Sequence, residues 1–565
     1  MFRAKFVPLA IIATAGLGGL AQSQDADTVY TNGKIYTVNE AQPWAEAVAI
    51  EDGKFIVVGS NDDVAAVTGD TTEVIDLGGG FAMPGLHDSH VHPPLVYTFE
   101  EAGELLFPET TSPVEIIKVV KAFADENPDL KVVRGQKWAA ADFPGGKATK
   151  EWLDPHFPDR AIYLVDETGH NAVANSRALE IAGITKDTPD PENGAIDRDP
   201  TTGEPTGYLS ETAMGLVAKF VKRPDVDANY RGLIRSLDQI RAYGITSVVD
   251  MAVGPNSVAA YQRLEAEGIL NIRVHAAIAL NDYAAEATTE EESEALLAQI
   301  SELDSPLLDF GLKYWADGTP LSKTALMVEP YADDPNTHGI MTIGERQFER
   351  IKQAHRDGIP VRLHATTDGT TRKLLDVIAQ ARAEDPKPDL RHHIGHLLTV
   401  TKEDIPRFKE LNVIAEFSPV WWYPTAMGKI ASTYIGAVRY ARWMAIKEFL
   451  DAGVIVAVGS DWPAGTPDAD PWKGIEGMIT RMDPHTNEGE TLGEPVDLET
   501  AIKIYTMNGA MAMMHEDVAG SIEVGKHADM IVLERNLFEI DPTEISEVVV
   551  QSTVFAGEEV HTAPQ

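Results

Sequence analysis

The sequence predicts an α/β protein: a (β/α)8 TIM-like barrel, a small β-sandwich domain built from both chain ends, and a subdomain inserted after the first barrel strand. Three observations lead to this fold. Apolar runs alternate with amphipathic helical segments through the middle of the 565-residue chain, as in parallel βαβ units. Strand-like segments lie at both chain ends, and one connection is far longer than a crossover needs.

The first 23 residues predict a signal peptide that is not part of the fold. Arg3 and Lys5 precede an apolar run over residues 6–20, and small residues follow at Ala21 and Ser23. The run is short for a membrane span and contains glycine. We therefore expect an exported protein, periplasmic or secreted, with no stable membrane anchor after cleavage. An uncleaved anchor is the alternative.

Residues 24–82 and 512–565 are expected to form one composite β domain. Two hairpin signals, Asn32-Gly33 and Asp52-Gly53, lie between alternating apolar segments near the N-terminus. Similar strand-like segments lie near the C-terminus. Neither piece is large enough to bury a good core alone, so we expect the two to pair.

Residues 83–511 are expected to form the barrel, because eight parallel strands most simply close into one. The intervening helices show apolar faces of period 3.6, as at Leu233, Leu237 and Ile240. The connection over residues 93–231 is predicted to be the inserted subdomain. The predicted barrel strands cover residues 81–91, 244–251, 271–280, 308–317, 358–365, 390–398, 411–418 and 453–461.

Composition excludes several kinds of site and partner. The chain contains no cysteine, which excludes thiolate metal sites, disulfide bonds and a cysteine nucleophile. Its formal net charge of −41 makes nucleic acid and anionic lipid poor partners. We interpret this charge as a solubilising surface for a saline exterior, where charge repulsion is screened.

Residues that can bind a metal recur where the predicted barrel strands end. His90 and His92 share one side of the first strand because side chains alternate along a strand. His364, His396 and Asp461 end the fifth, sixth and eighth strands. Barrel active sites lie at these carboxyl ends. The pattern therefore predicts a metal site there.

Several motifs resemble a known family. The stretch Pro84-Gly-Leu-His-Asp-Ser-His-Val-His-Pro93 is similar to the first-strand signature of the amidohydrolase superfamily. Lys313-Tyr-Trp-Ala-Asp317-Gly318 resembles amidohydrolase family 3, which includes N-substituted formamide deformylases. The resemblance covers nearly the whole mature chain, with the motifs in the family's order.

The resemblance implies a site for two divalent metal ions, with zinc the leading choice and manganese or iron as alternatives. Lys313 matches a lysine that is carboxylated in related enzymes and then bridges both metals. The alternative is an unmodified amine and a single metal. His392 shares a strand side with His396, so the choice of His396 depends on the resemblance. The implied metal ligands are His90, His92, Lys313, His364, His396 and Asp461.

The implied activity is metal-dependent hydrolysis of a C–N bond other than a peptide bond (EC 3.5), in a small N-acyl or N-formyl amide. A metal-bridging hydroxide would attack the carbonyl, and Asp461 would act as general acid/base. The alternatives are a deaminase or cyclic-amide hydrolase on the same scaffold, or a non-catalytic periplasmic binding or regulatory protein. A homodimer is expected only by analogy.

Four further residues are expected near the substrate: Trp138, His170, Asp317 and Trp422. Trp422 follows the seventh strand, where an aromatic side chain would contact an apolar substrate part or pack under a loop. This chain departs from the family pattern at Gly395, because family members usually have a glutamate at the position just before the ligand that corresponds to His396. A precise transfer of substrate from the family is therefore not warranted.

Overall fold

The computed structural model describes residues 25–564, apart from 103, 109–110, 192–193, 281–288, 301–302, 423–425, 465 and 487–492. The predicted signal peptide over residues 1–23 lies outside the described residues. Within the described part of the chain, no helix is both long enough and apolar enough to cross a membrane.

Both chain ends form a β-sandwich, as predicted. Phe81–Pro84 pairs antiparallel with Met530–Leu533, so that Met530 lies opposite Pro84. Side chains of both sheets, including Phe55 and Val554, share one buried core. One sheet contains Lys54–Gly59, Ala47–Glu51, Thr28–Thr31 and Glu73–Asp76, in that spatial order. The other contains Glu558–Thr562, Val550–Phe555, Met530–Leu533, Phe81–Pro84, Lys34–Tyr36 and Trp44–Ala45.

The eight-stranded parallel barrel is confirmed. Neighbouring strands follow chain order, and the backbone closes the ring: Asp461 N donates to His90 O at 2.7 Å, and His92 N donates to Trp462 O at 2.8 Å. The strands are Leu86–Val91, Ile245–Val253, Arg273–Ala279, Leu308–Trp315, Val361–Ala365, His392–His396, Val413–Phe417 and Val456–Val458.

The predicted first strand, residues 81–91, is in fact two strands. Phe81–Pro84 belongs to the sandwich sheet, and Leu86–Val91 begins the barrel. Pro84 has no N–H to donate, and a Cβ at Gly85 would lie 2.4 Å from the Thr246 side chain. Only a glycine at residue 85 therefore fits this close against Thr246. The sandwich sheet ends at Pro84, two residues past the expected boundary at 82.

Helices cover the outside of the barrel. The helix Val226–Ala242 is an example. Its N-cap residue, Asp225, accepts a hydrogen bond from Ala228 N at 2.9 Å. Its apolar face, with Leu233, Leu237 and Ile240, is buried as predicted. The other helices of the described chain, which include those of the sandwich and the insertion, are Asn61–Ala65, Pro94–Glu101, Pro113–Glu126, Lys150–Leu153, Ser176–Ala182, Gly215–Ala218, Pro255–Ala266, Glu290–Ile300, Glu345–Asp357, Asp368–Glu384, Ile405–Glu410, Ala426–Ile435, Ala437–Tyr440, Ile446–Asp451, Pro471–Thr480, Leu498–Lys503 and Gly509–Ala512.

The predicted insertion is confirmed as a separate layer with its own sheet. It contains two cores of its own, one on each side of the central strands, for example around Tyr163 and around Leu164. Residues 166–170, which connect two of its strands, line the cavity at the barrel mouth. The strands, in spatial order, are Gly194–Arg198, Pro205–Glu211, Asn171–Ala174, Ile162–Asp166, Val133–Trp138 and Leu105–Leu106.

Candidate active site

Three predicted ligands form a compact cluster at the carboxyl end of the barrel. One ligand atom each from His90, His396 and Asp461 lies within 4.8 Å of the others. Asp461 Oδ1 is 3.3 Å from His90 Nε2 and 3.3 Å from His92 Nε2. A tetrahedral cation with bonds of about 2.0–2.1 Å separates its ligand atoms by about 3.3 Å. The cluster therefore has the spacing of a metal site.

Local backbone geometry directs these side chains inward. His396 and Asp461 have φ angles of 74° and 59°, the left-handed region that residues with a Cβ seldom occupy. Such backbone strain persists where the surroundings enforce it, often at functional sites. Next to Asp461, Asp88 accepts hydrogen bonds from His90 N at 3.0 Å and Ser460 Oγ at 2.6 Å. This carboxylate therefore joins the first barrel strand to the segment that carries Asp461.

His364 approaches the cluster from the fifth strand. Its ring centroid is 4.5 Å from that of His396. Its Nδ1 is 2.9 Å from Asp317 Oδ1, which leaves Nε2 as the atom available to a metal. Asp317, expected near the substrate, therefore lies behind His364 and orients its ring. Burial raises the pKa of Asp317 to about 7.

Lys313 is buried inside the barrel on the fourth strand. Burial lowers the pKa of Lys313 to about 8, although the nearby carboxylates of Glu416 and Asp461 favour the charged form. Carboxylation requires a neutral amine, and a lowered pKa increases the neutral fraction at physiological pH. The environment of Lys313 therefore suits the modification that the resemblance implies.

Glu416 is a site residue that sequence reasoning missed. It is fully buried in the seventh strand, and its Oε2 is 2.6 Å from His90 Nδ1. Burial raises the pKa of Glu416 to about 7, while His396 and Lys313 lower it. The available signal was an acidic residue within Val413–Phe417, an otherwise apolar strand, because an acid is rarely fully buried without a partner.

A cavity of about 130 Å³ that opens to solvent leads to the cluster. His170 lines it, with its ring centroid 5.0 Å from that of His364 and its Nδ1 3.0 Å from Glu211 Oε2. Burial disfavours the charged imidazolium, but the Glu211 carboxylate holds the pKa of His170 above its ordinary value. Among the expected substrate residues, His170 is therefore placed to contact a bound molecule.

The two expected tryptophans lie elsewhere. Trp138 is buried in the core of the insertion, where its indole N–H donates to Leu164 O at 2.9 Å. Trp422 is buried beneath the Arg481 guanidinium, which lies 3.5 Å from its ring centroid. Neither is among the residues that line the cavity. Trp421 and Trp443 line its apolar wall instead.

The structure also separates the neighbouring histidines of the sixth strand. A ring nitrogen of His392 is 2.9 Å from a ring nitrogen of His355, and His393 Nε2 is 2.8 Å from Ala512 O. His396 is the one that joins the metal-ligand cluster. The structure therefore places His396, rather than His392 or His393, beside His90 and Asp461.

Comparisons with known proteins agree with this geometry. A sequence model of the amidohydrolase family matches residues 73–561. YtcJ of Bacillus subtilis (strain 168) is 30% identical over 549 residues, covering 94% of this chain and 99% of that protein. N-substituted formamide deformylase of Arthrobacter pascens is 26% identical, covering 95% and 98%. The crystal structure of an uncharacterized metal-dependent hydrolase from Pyrococcus horikoshii OT3 shares the fold, with a TM-score of 0.69, 23% identity and coverage of 91% and 99%.

Proposed function

Because the chain belongs to the amidohydrolase family, we propose that it hydrolyses the C–N bond of a small N-acyl or N-formyl amide. Water is added across this bond, giving a carboxylic acid and an amine. The observation that carries the proposal is the spacing of 3.3 Å from Asp461 Oδ1 to both His90 Nε2 and His92 Nε2. Family and cluster together support a divalent metal at this site.

We propose that two metal ions bind, held by His90, His92, Lys313, His364, His396 and Asp461 once Lys313 is carboxylated. When bound, such ions provide hydroxide at neutral pH and polarise a substrate carbonyl. Zinc suits histidine and carboxylate ligands. Lys313 contributes anionic oxygens only as a carbamate, since a protonated amine would repel cations.

Asp461 is the proposed general acid/base. Its carboxylate faces the ring nitrogens of His90 and His92, at the centre where the attacking water must lie. It takes the proton of that water and delivers it to the departing nitrogen, which is a poor leaving group as an anion. His170, held by Glu211, is placed to donate a hydrogen bond to the oxyanion that forms from the carbonyl.

The cavity wall supports a substrate with an apolar part. Trp421, Trp443 and Met444 line the cavity, and His170 is among its polar lining residues. Apolar walls with few polar groups are typical of small-molecule sites. We therefore place the reacting amide beside His170 and the apolar substituent against the tryptophans.

The test is a panel of N-formyl and N-acyl amines incubated with purified protein, with acid and amine release both measured. Wild-type protein is expected to release the two in equal amounts, and Asp461→Asn is expected to lose this activity. A panel without any acid and amine release would contradict the proposal.

A second candidate is a deaminase or cyclic-amide hydrolase that uses one metal. The compact group of His90, His396 and Asp461 favours it, because these three ligands suit a single cation. Ammonia release from aminopurines, or ring opening of cyclic amides, in place of hydrolysis of the linear panel would identify this function.

A further inference from the structure

Gly395 and Glu416 lie opposite each other on the sixth and seventh barrel strands. A Cβ at position 395 would be 2.3 Å from Glu416 Oε2 and 3.6 Å from His90 Nδ1. The first distance is far below van der Waals contact. Glu416 can therefore occupy its observed position only because residue 395 has no side chain.

The Glu416 carboxylate occupies the space that Gly395 leaves open and contacts His90. Glu416 Oε2 is 2.6 Å from His90 Nδ1, and both side chains are almost completely buried. A carboxylate there accepts the Nδ1 proton, so the lone pair is on Nε2. That atom is 3.3 Å from Asp461 Oδ1, on the side where a cation would bind.

We propose that Gly395 and Glu416 form a matched pair in which the absence of a side chain at 395 lets Glu416 orient His90 for metal binding. Glu416 is thus a positioning residue, which acts through the ring of His90. Carboxylate partners of ligating histidines fix the tautomer and ring orientation. The inference rests on the metal site of the proposed function and is independent of which bond is cleaved.

The test is zinc affinity of the metal-free protein, measured by competition with a chromogenic chelator, together with its thermal unfolding. Glu416→Ala is expected to weaken zinc binding about 10–100-fold while the apo-protein stays folded. Gly395→Ala is expected to weaken binding as well, because its Cβ displaces the carboxylate. In the Glu416→Ala background, Gly395→Ala should have no further effect.

A rescue variant and a control complete the design. A Cβ at residue 395 would lie 3.6 Å from His90 Nδ1, so Gly395→Asp would place a carboxylate next to this nitrogen. The double variant Gly395→Asp with Glu416→Ala should therefore recover zinc affinity. Glu476→Gln is the control, since this buried glutamate accepts a hydrogen bond from Ser546 N at 2.8 Å outside the metal-ligand cluster. It should leave zinc affinity unchanged.

Two results would overturn the inference. One is a Glu416→Ala protein that binds zinc as tightly as wild type. The other is a loss of zinc affinity on Gly395→Ala that is equally large in the wild-type and Glu416→Ala backgrounds. If Glu416→Ala does not fold, the zinc affinities of Gly395→Ala and of the rescue variant test the inference instead, because both of these proteins retain a carboxylate in this region. Wild-type protein that binds no zinc would instead refute the metal site itself.

Discussion

Replacing Asp317 with alanine would remove the carboxylate that orients His364. Asp317 Oδ1 is 2.9 Å from His364 Nδ1 and accepts a hydrogen bond from Thr366 N at 3.0 Å. Alanine would leave both donors buried without this acceptor, which costs about 1–3 kcal/mol for each group. Loss of a carboxylate behind a ligating histidine lowers metal affinity about 10–100-fold. This corresponds to about 1.4–2.7 kcal/mol.

Chelator competition measures the affinity, and urea unfolding of the apo-protein measures stability. Asp317→Ala is expected to lower both the metal affinity and the stability of the apo-protein. Asp317→Asn is expected to lower the metal affinity less, because its amide oxygen can still accept a hydrogen bond from His364. Asp404→Ala is the matched control. Asp404 is buried and accepts hydrogen bonds from Thr401 Oγ1 at 2.7 Å and Arg372 Nε at 2.8 Å. Asp404→Ala should lower the stability of the apo-protein and leave its metal affinity unchanged. A folded Asp317→Ala protein with wild-type metal affinity would refute the reasoning.

Three further predictions concern the cavity and the pH dependence of stability. Trp443→Ala should raise KM for amides with a bulky apolar substituent and leave KM for small formamides unchanged; equal changes in steady-state assays would contradict this. His170→Ala should lower kcat/KM about 100-fold, the usual cost of an oxyanion donor, with metal content unchanged; a metal loss by elemental analysis would show a structural role instead. Burial raises the pKa of Asp470 from 3.8 to about 6, so between these pH values the unfolded chain ionises this group while the folded protein keeps it neutral, and the free energy of unfolding falls as pH rises. Asp470→Asn should therefore raise the free energy of unfolding at pH 7 by up to about 3 kcal/mol and leave it nearly unchanged below pH about 3.8; a benefit confined to low pH would contradict the assignment.

Periodicity predicted the eight barrel strands because each apolar run is bounded by turns and followed by an amphipathic helix. It did not show the break at Pro84 and Gly85, because the strand pattern continues across both residues. That break depends on Met530–Leu533, which pairs with the segment from the other end of the chain. The sequence distance between these segments hides the pairing from any local pattern.

The ligand cluster was predictable because ligands at strand ends converge in a barrel. Their supporting carboxylates were not. Asp317 was expected near the substrate, but its partner His364 lies on the adjacent strand, 47 residues along the chain. Glu416 is 326 residues from His90. Contacts of this kind depend on strand register and side-chain reach, which the sequence pattern does not specify.

Tryptophan near the barrel mouth was predicted, but not which residues would contact a ligand. Trp421 lines the cavity, whereas its neighbour Trp422 is buried beneath Arg481. A short helical turn, Pro419–Trp421, precedes Trp422 and sets the directions of these side chains. Strand alternation does not apply in such a turn.

The most direct test of the account is a zinc titration of metal-free protein in bicarbonate buffer, with amide hydrolysis measured at each step. Wild-type protein is predicted to be inactive without metal and to reach full activity at about two zinc ions per chain. Lys313→Ala is predicted to bind less zinc and remain nearly inactive. Full hydrolysis by metal-free wild-type protein would contradict the account, and activity that saturates at one zinc ion in both proteins would contradict the carbamate-bridged site.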